Sequence, residues 1–124
     1  MNQDVSETIR TNFPKRGEIY FTESTYYACG SEQTNNRPFV VVSNNKNNMF
    51  SSVITAVPFT SKQKKHLPTH VDYIDEDSPV VGTILCEQIQ TVSKSRLGSY
   101  AGEVDWKTMR QIEEALKVQL GLTK

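Results

Sequence analysis

The sequence predicts a mainly β domain, a small antiparallel barrel or sandwich that carries one amphipathic helix at its C-terminal end. Short runs of β-favouring residues recur between turn signals, and this even spacing is typical of such folds. The last segment instead repeats apolar residues at steps of three and four, which is the period of a helix. We expect strands at residues 18–22, 38–43, 52–59, 70–74, 82–92 and 97–104.

The chain has 124 residues, which is enough for one domain with one core. Residues 1–14 are polar, show no convincing period and end at Pro14, so we expect a disordered or loosely attached extension. A single domain is then expected over residues 15–124. The N-terminus has no apolar signal region and no stretch is long enough to span a bilayer, which predicts a cytoplasmic protein without a membrane partner.

A polar loop over residues 30–38 lies between the first two predicted strands. It carries the acid Glu32 together with amide and hydroxyl side chains, and it ends at Arg37-Pro38, immediately before an apolar run. The planar guanidinium group of arginine suits bidentate contacts with phosphate oxygens. Because a stiff strand anchors the loop, we interpret it as a rigid support for a phosphate-bearing ligand.

The second strand is apolar on both faces. Phe39 and Val41 point to one side while Val40 and Val42 point to the other, and the strand after the asparagine-rich segment 44–50 repeats this pattern. We expect one face to be covered by the domain's own core and the other by the C-terminal helix or by a partner subunit. Segment 44–50 itself is expected to be a turn or a single helical turn.

The predicted C-terminal helix has recognisable ends. Asp105 is a good N-cap, and Gly121 stands where the glycine that follows a helix belongs. Between them, an apolar stripe should pack on the sheet and place its members in the core, including the first two. The stripe consists of Trp106, Met109, Ile112, Leu116 and Leu120.

Fourteen basic and fourteen acidic residues give a formal net charge of zero. The chain therefore lacks the global basic field by which nonspecific nucleic-acid binders attract polyanions, and any contact with RNA or DNA must be local. The best local basic cluster is Lys62, Lys64, Lys65 and His66, which fits either a phosphate backbone or a solvated loop.

Neither the cysteines nor the histidines form a metal-binding motif. Cys29 and Cys86 lie far apart without CxxC spacing, which predicts free thiols in a reducing compartment, with Cys86 as a small core residue. His66 and His70 form no HExxH arrangement. We expect no metal and no cofactor.

Several segments, taken in order, resemble the MazF/PemK family of toxins from type II toxin–antitoxin systems. The resemblance runs from residue 15 to the C-terminus. Its blocks are KRGEIYF at 15–21, GSEQ at 30–33, Arg37-Pro38 before an apolar strand, VPFTS at 57–61, LPTHV at 67–71, and EQI at 87–89 followed by Thr91 and SKSRL at 93–97.

The resemblance implies an SH3-like β-barrel that forms a homodimer and cleaves single-stranded RNA, usually mRNA, at short sequence motifs without a metal. In this family the ribose 2′-hydroxyl attacks its own phosphodiester and leaves a 2′,3′-cyclic phosphate and a 5′-hydroxyl end. Such mRNA interferases inhibit translation and growth. A cognate antitoxin is the implied partner, with DNA binding expected for the complex of the two.

By its position in the matched blocks, Arg37 corresponds to the family's active-site arginine, Thr60 to its threonine and Glu32 to an acid of the first loop. Because a guanidinium group keeps its charge, we interpret Arg37 as a clamp on the phosphate, and Thr60 as a hydrogen-bonding group. Glu32 is the preferred general base or arginine-orienting acid, with His70 and Glu87 in reserve. PemK-like members have a histidine where this chain has Ser31, so that branch's acid–base assignment transfers only in part. The expected RNA-binding residues are Ser31, Gln33, Asn35, Asn36, Ser61, Lys62, Lys64, Lys65, His70, Glu87 and Gln88.

Two other functions remain open from the sequence. A gyrase-poisoning toxin of CcdB type shares the fold but acts through protein binding, mainly by its C-terminal helix, and would have no use for Arg37, Thr60 and Glu32. A catalytically dead SH3-like interaction module would predict decay of these three positions, and all three are filled.

Overall fold

The computed structural model describes residues 12–22, 37–61, 65–75, 77–78 and 80–123. Within these ranges the chain forms strands, two α-helices and two short 3₁₀ turns. The strands are β1 Glu18–Thr22, β2 Arg37–Val41, β3 Val53–Thr60, β4 His70–Tyr73, β5 Gly82–Leu85, β6 Gln90–Ser93 and β7 Leu97–Glu103. The α-helices are α1 Asn45–Phe50 and α2 Trp106–Gln119, and the 3₁₀ turns are Cys86–Gln88 and Lys94–Arg96.

The strands form one antiparallel sheet whose path runs β4-β5-β3-β2-β1-β7. Strand β3 is shared, because its first half pairs with β6 and its last two residues, Phe59 and Thr60, pair with β5. The mainly β fold with a C-terminal helix is therefore confirmed. The barrel is open, since no ladder among the described residues joins the two ends of this path.

The single strand predicted over residues 82–92 is in fact two strands. The 3₁₀ turn Cys86–Gln88 separates β5 from β6 and lets them pair with opposite halves of β3. At the break, the Cys86 N–H donates to the carbonyl of Thr69 at 3.0 Å. The apolar pattern alone could not reveal this change of partner, because both strands keep β-favouring residues.

Both faces of β2 are buried within the chain. Val40 and Val42 join a core cluster that includes Ile112 and Ala115 of α2, whereas Phe39 and Val41 join a second cluster. The curled sheet encloses this second cluster, whose other members are Ile54, Ala56 and Val92, with Tyr20 and Leu97 packed against it. The helix thus covers one face as expected, and no partner subunit is needed to cover the other.

Helix α1 confirms the expected single helical turn between β2 and β3. The Asn44 side chain caps it by accepting the Asn47 N–H at 2.8 Å. Asn48 is completely buried, where its side-chain amide donates to the carbonyl of Ser43 at 2.8 Å and its amide oxygen accepts from the Ser43 hydroxyl. Since a buried amide without partners would be costly, this network fixes the link between two central strands.

Helix α2 begins where the sequence predicted. Asp105 is the N-cap and accepts the Thr108 N–H at 3.0 Å; hydrogen bonding from the Thr108 side chain and from this N–H holds the pKa of the Asp105 carboxyl below its usual range. Ile112 and Ala115 are buried against the sheet. At the other end, the Gly121 N–H donates to the carbonyl of Val118, so the helix ends as predicted.

The expected burial of Trp106 is wrong. Its side chain is 70% exposed, and Leu120 at the other end of the stripe is 53% exposed. A helix turns about 100° per residue, so Trp106 lies roughly 120° around the axis from the buried Ile112 and Leu120 lies roughly 80° from it. The apolar residues spaced by three and four positions therefore lie outside the buried face at both ends of α2. Among the described residues, neither helix is long and apolar enough to cross a bilayer.

Candidate active site

Arg37 and Thr60 lie at the same end of neighbouring strands. The β2–β3 ladder pairs Phe39 with Pro58 and Val40 with Val57. When this register is extended by two residues, Arg37 lies opposite Thr60. Residues opposite each other in a sheet project their side chains to the same face. The sheet thus brings together two of the three predicted catalytic residues, which are 23 positions apart in the sequence.

The Arg37 side chain is exposed and reaches across to β3. Its Nη2 donates to the carbonyl oxygen of Phe59 at 3.4 Å, beside Thr60. Its own carbonyl accepts from the Thr22 hydroxyl on β1 at 3.4 Å. The hydrogen bond from Arg37 to the Phe59 carbonyl uses one of the five N–H donors of the guanidinium group. The other donors can bind an anion at this end of the sheet.

Gly82, the first residue of β5, packs unusually close to Thr60. Its φ angle is +140°, and a Cβ added there would stand 2.4 Å from the Thr60 carbonyl oxygen and 3.5 Å from the Cα of Ser61. Any other residue would therefore meet both backbone strain and a clash. The absence of a side chain at Gly82 lets β5 close against the end of β3 and fixes the backbone that carries Thr60.

The polar row continues beyond Thr60. The ladders pair Thr60 with Thr83 on β5, and Thr83 with Asp72 on β4. The Thr83 hydroxyl donates to Oδ1 of Asp72 at 3.2 Å. A cation, two hydroxyl groups and a carboxylate therefore stand in one row across four strands, which we call the polar row: Arg37, Thr60, Thr83 and Asp72.

His70 and Glu87 form a second polar group near the start of β4. The Leu67 N–H donates to Nδ1 of His70 at 3.2 Å, so in the neutral ring the proton is on Nε2, which lies 3.0 Å from Oε2 of Glu87. Thr69 donates its hydroxyl to Oε1 of Glu87 at 3.0 Å. Burial alone would raise the pKa of Glu87, but the bonds from His70 and Thr69 outweigh it and leave that pKa below its usual value.

These contacts engage both ring nitrogens of His70, and the ring is buried. His70 pairs with Leu85, so it stands two strands across and two residues along from Thr60. With strands about 4.8 Å apart and about 3.3 Å per residue, this separation is roughly 12 Å. His70 and Glu87 therefore form a polar group separate from Arg37 and Thr60.

Several predicted site residues lie outside the described ranges. They are Ser31, Glu32, Gln33, Asn35, Asn36, Lys62 and Lys64. Of the others, Ser61, Lys65 and Gln88 are exposed, with Ser61 directly after Thr60 at the end of β3. Within the ranges that the structure covers, no three His, Cys, Asp or Glu side chains gather as a metal site would need.

Sequence reasoning missed Gly82, Thr83 and Asp72. Thr83 and Asp72 are polar residues on the face of β4 and β5 opposite to the buried Val71 and Ile84, and this alternation is visible in the sequence. What the sequence does not show is the register that places them beside Thr60.

A family model described as PemK-like, MazF-like toxin of type II toxin–antitoxin systems matches residues 15–120. Endoribonuclease EndoA of Bacillus subtilis is 36% identical over 115 residues, which cover 87% of this chain and 95% of EndoA. Endoribonuclease MazF4 of Mycobacterium tuberculosis is 35% identical over 111 residues, which cover 90% and 96% of the two chains.

Solved structures give the same result. A mycobacterial endoribonuclease in complex with its cognate antitoxin superimposes with a TM-score of 0.76 at 32% identity, covering 90% of this chain and 98% of the other. MazF of Deinococcus radiodurans, at 24% identity, has a TM-score of 0.74 over 88% and 97% of the two chains and supports the fold alone.

Proposed function

The chain belongs to the family of PemK-like, MazF-like toxins of type II toxin–antitoxin systems and is an endoribonuclease, and we propose that it cleaves single-stranded RNA without a metal ion, by attack of the ribose 2′-hydroxyl on the adjacent phosphodiester. The products are a 2′,3′-cyclic phosphate and a 5′-hydroxyl end. The observation that carries this proposal is the pairing of Arg37 with Thr60 on an exposed end of the sheet.

The reaction needs no protein nucleophile. The 2′-oxygen forms a new bond to phosphorus as its proton leaves, and the bond from phosphorus to the 5′-oxygen of the next nucleotide breaks as that oxygen gains a proton. The protein must stabilise the extra negative charge on the phosphorus centre and handle these two protons. A guanidinium group and a hydroxyl at one place supply the first requirement.

Arg37 is proposed to hold the phosphate and to stabilise the charge that develops in the transition state. Thr60 is proposed to position the phosphate or the 2′-hydroxyl by a hydrogen bond, because its own hydroxyl is too weak an acid to act as a base at neutral pH. Gly82 supports this geometry by allowing β5 to pack against the Thr60 backbone.

Glu32 remains the proposed general base or arginine-orienting acid. Glu87 is less suited to that role, since hydrogen bonds from His70 and Thr69 keep its pKa low and a weakly basic carboxylate withdraws a proton poorly. We assign exposed Gln88 and part-exposed Glu87 to the binding of a flanking nucleotide, with the buried His70 ring positioning the Glu87 carboxylate.

The other RNA contacts are proposed from the segments that precede Arg37 and follow Thr60 in the sequence. Ser31, Gln33, Asn35 and Asn36 would hydrogen-bond to bases, and Ser61, Lys62, Lys64 and Lys65 would contact the phosphate backbone. Since the chain has no net charge, these local cations would account for the salt dependence of binding.

We further propose that the active form is a cytoplasmic homodimer and that a cognate antitoxin binds it. The complex of this protein with its antitoxin is proposed to bind DNA. The relative from a mycobacterial species is seen in complex with its cognate antitoxin, and MazE–MazF complexes of Deinococcus radiodurans share the fold. The gyrase-poisoning alternative is not favoured, because the similar proteins are endoribonucleases. The same similarity weighs against a catalytically dead interaction module.

The test is cleavage of RNA by the purified protein in the presence of EDTA, with sequencing of 5′-hydroxyl ends. Arg37→Ala should lower the cleavage rate by at least 100-fold, the order found when one charge-stabilising donor is removed. Lys46→Ala is the control, since Lys46 is an exposed cation on α1, which joins β2 to β3 at the end of these strands opposite to Arg37 and Thr60. Full activity of Arg37→Ala in a folded protein, or a strict need for a divalent metal, would refute the mechanism.

A further inference from the structure

The two ends of the polar row differ in charge. Arg37 gives one end a cation, Asp72 gives the other a carboxylate, and the hydroxyls of Thr60 and Thr83 lie between them. At about 4.8 Å per strand, the row is roughly 14 Å long. Within the row, a polyanionic strand would find a favourable place for phosphate at Arg37 and an unfavourable one at the Asp72 carboxylate.

The hydrogen bond between Thr83 and Asp72 limits what Thr83 can bind. A threonine hydroxyl has one proton, and Thr83 donates it to Oδ1 of Asp72 at 3.2 Å. Only the lone pairs of the Thr83 oxygen then remain for a ligand. Phosphate oxygens also only accept, and the Asp72 carboxylate would repel them, so this end of the row suits a hydrogen-bond donor.

Stability does not explain the pair. Asp72 is exposed and Thr83 is half-buried, and a cross-strand polar pair on such a surface contributes little to the stability of a sheet. The pair is open to solvent and lies one strand away from Thr60. Both groups are thus accessible to a ligand that is bound at Arg37 and Thr60.

From this geometry we infer that Thr83, oriented by Asp72, is a specificity-determining residue that accepts a hydrogen bond from a nucleotide flanking the scissile phosphate. The donor is a ribose 2′-hydroxyl or an exocyclic amino group of a base, both of which RNA offers. The inference rests on the proposed RNA cleavage at Arg37 and Thr60. It assigns phosphate to one end of the row and a donor group to the other.

The experiment compares short RNA oligonucleotides that contain one cleavage motif identified by the 5′-end sequencing. One set carries a single 2′-deoxy nucleotide at each flanking position in turn. A second set replaces each flanking base by an analogue without its exocyclic amino group, such as inosine for guanosine. The kcat/KM of each is measured for the wild type, Thr83→Val, Asp72→Ala and Thr91→Val.

The wild type should cleave one modified oligonucleotide about three- to tenfold more slowly, the loss expected for one hydrogen bond. Thr83→Val should cleave it as well as the unmodified RNA, because valine keeps the shape and lacks the acceptor. Asp72→Ala should weaken the preference, since the freed hydroxyl can then also donate. Thr91→Val is the control and should keep the preference, because Thr91 is exposed on β6 and pairs with Thr55, far along β3.

A preference that persists in Thr83→Val, or a wild type that ignores both sets of analogues, would overturn the inference. An unchanged preference in Asp72→Ala would refute the part given to Asp72. The 2′-deoxy set identifies a ribose donor and the base set identifies an amino donor. Fluorescence anisotropy with oligonucleotides that carry a 2′-deoxy nucleotide at the scissile position measures the same preference without cleavage, so a failure of the cleavage mechanism is distinguishable from a failure of this inference.

Discussion

Replacing Gly82 by alanine tests how the end of β3 is held. The added Cβ would stand 2.4 Å from the Thr60 carbonyl oxygen, whereas Cβ atoms essentially never come closer than 3.0 Å to another heavy atom. Strand β5 and the end of β3 must therefore move apart by about 0.6 Å or more at this point. Alanine at φ +140° also costs about 1–3 kcal/mol of backbone strain.

The shift weakens the two residue pairs that join β5 to β3, at about 1 kcal/mol for each hydrogen bond affected. We expect Gly82→Ala to lower the free energy of unfolding by about 3–5 kcal/mol. For a domain of this size that is a fall in Tm of about 12–20 °C. Because Thr60 moves with its backbone, kcat at 20 °C should also fall by about tenfold or more.

Gly102→Ala is the matched control. Gly102 also has a positive φ, +117°, but a Cβ added there would have no heavy atom within 4 Å. It should show the strain alone, about 1–3 kcal/mol, with kcat unchanged. Differential scanning calorimetry and RNA cleavage kinetics measure both effects. Equal losses of Tm in the two variants, or a normal kcat in Gly82→Ala, would refute the reasoning about Thr60.

Three further predictions concern Glu87, Cys86 and Asn48. The folded-state pKa of Glu87 lies below the ordinary value of 4.5, so its carboxylate stabilises the fold above pH 4.5, and this stabilisation is lost as the pH falls through the lower folded-state pKa. Below about pH 4.5, the Tm of Glu87→Gln should therefore depend less on pH than the Tm of the wild type. Identical acid profiles of Tm in the two proteins would contradict this prediction. Burial raises the pKa of Cys86 to about 12, so in a Cys29→Ser background a thiol reagent should modify the protein only under unfolding conditions, and rapid labelling of the native protein would contradict the burial. Asn48→Ala should lower the free energy of unfolding, measured by urea titration, by about 2–3 kcal/mol, because the carbonyl and hydroxyl of Ser43 lose their partner. The control Lys46→Ala, at an exposed position of α1, should change it by less than about 0.5 kcal/mol.

Local chemistry made several elements predictable from the sequence. The N-cap Asp105 and the run of asparagines gave the start of α2 and the short helix α1 correctly, because capping and turn formation involve neighbours in the chain. The two-faced strand β2 was also recognised, since strand alternation has a fixed period. Cys86 is buried as expected, although it lies in the 3₁₀ turn between β5 and β6 rather than in a strand.

Features that depend on contacts between residues distant in the sequence could not be predicted from it. The break at residues 86–88 exists because two strands pair with opposite halves of β3, and the exposure of Trp106 follows from where the helix axis lies on the sheet. Arg37 was recognised from its polar loop and its place before an apolar strand, whereas Thr60 was found through the family resemblance. Thr83 and Asp72 have no motif of their own, and only the register of β5 brings them to the site.

The division of β3 between two partners has a consequence for local stability. Strand β5 is joined to β3 by two residue pairs, whereas β2 and β6 are joined to it by three and four. Fewer residue pairs therefore hold the β4–β5 hairpin to β3 than hold β2 or β6, and we expect this hairpin to open at a lower free-energy cost than global unfolding. Such an opening would separate Thr83 and Asp72 from Thr60, so amide hydrogen exchange in this hairpin reports how long the polar row stays assembled.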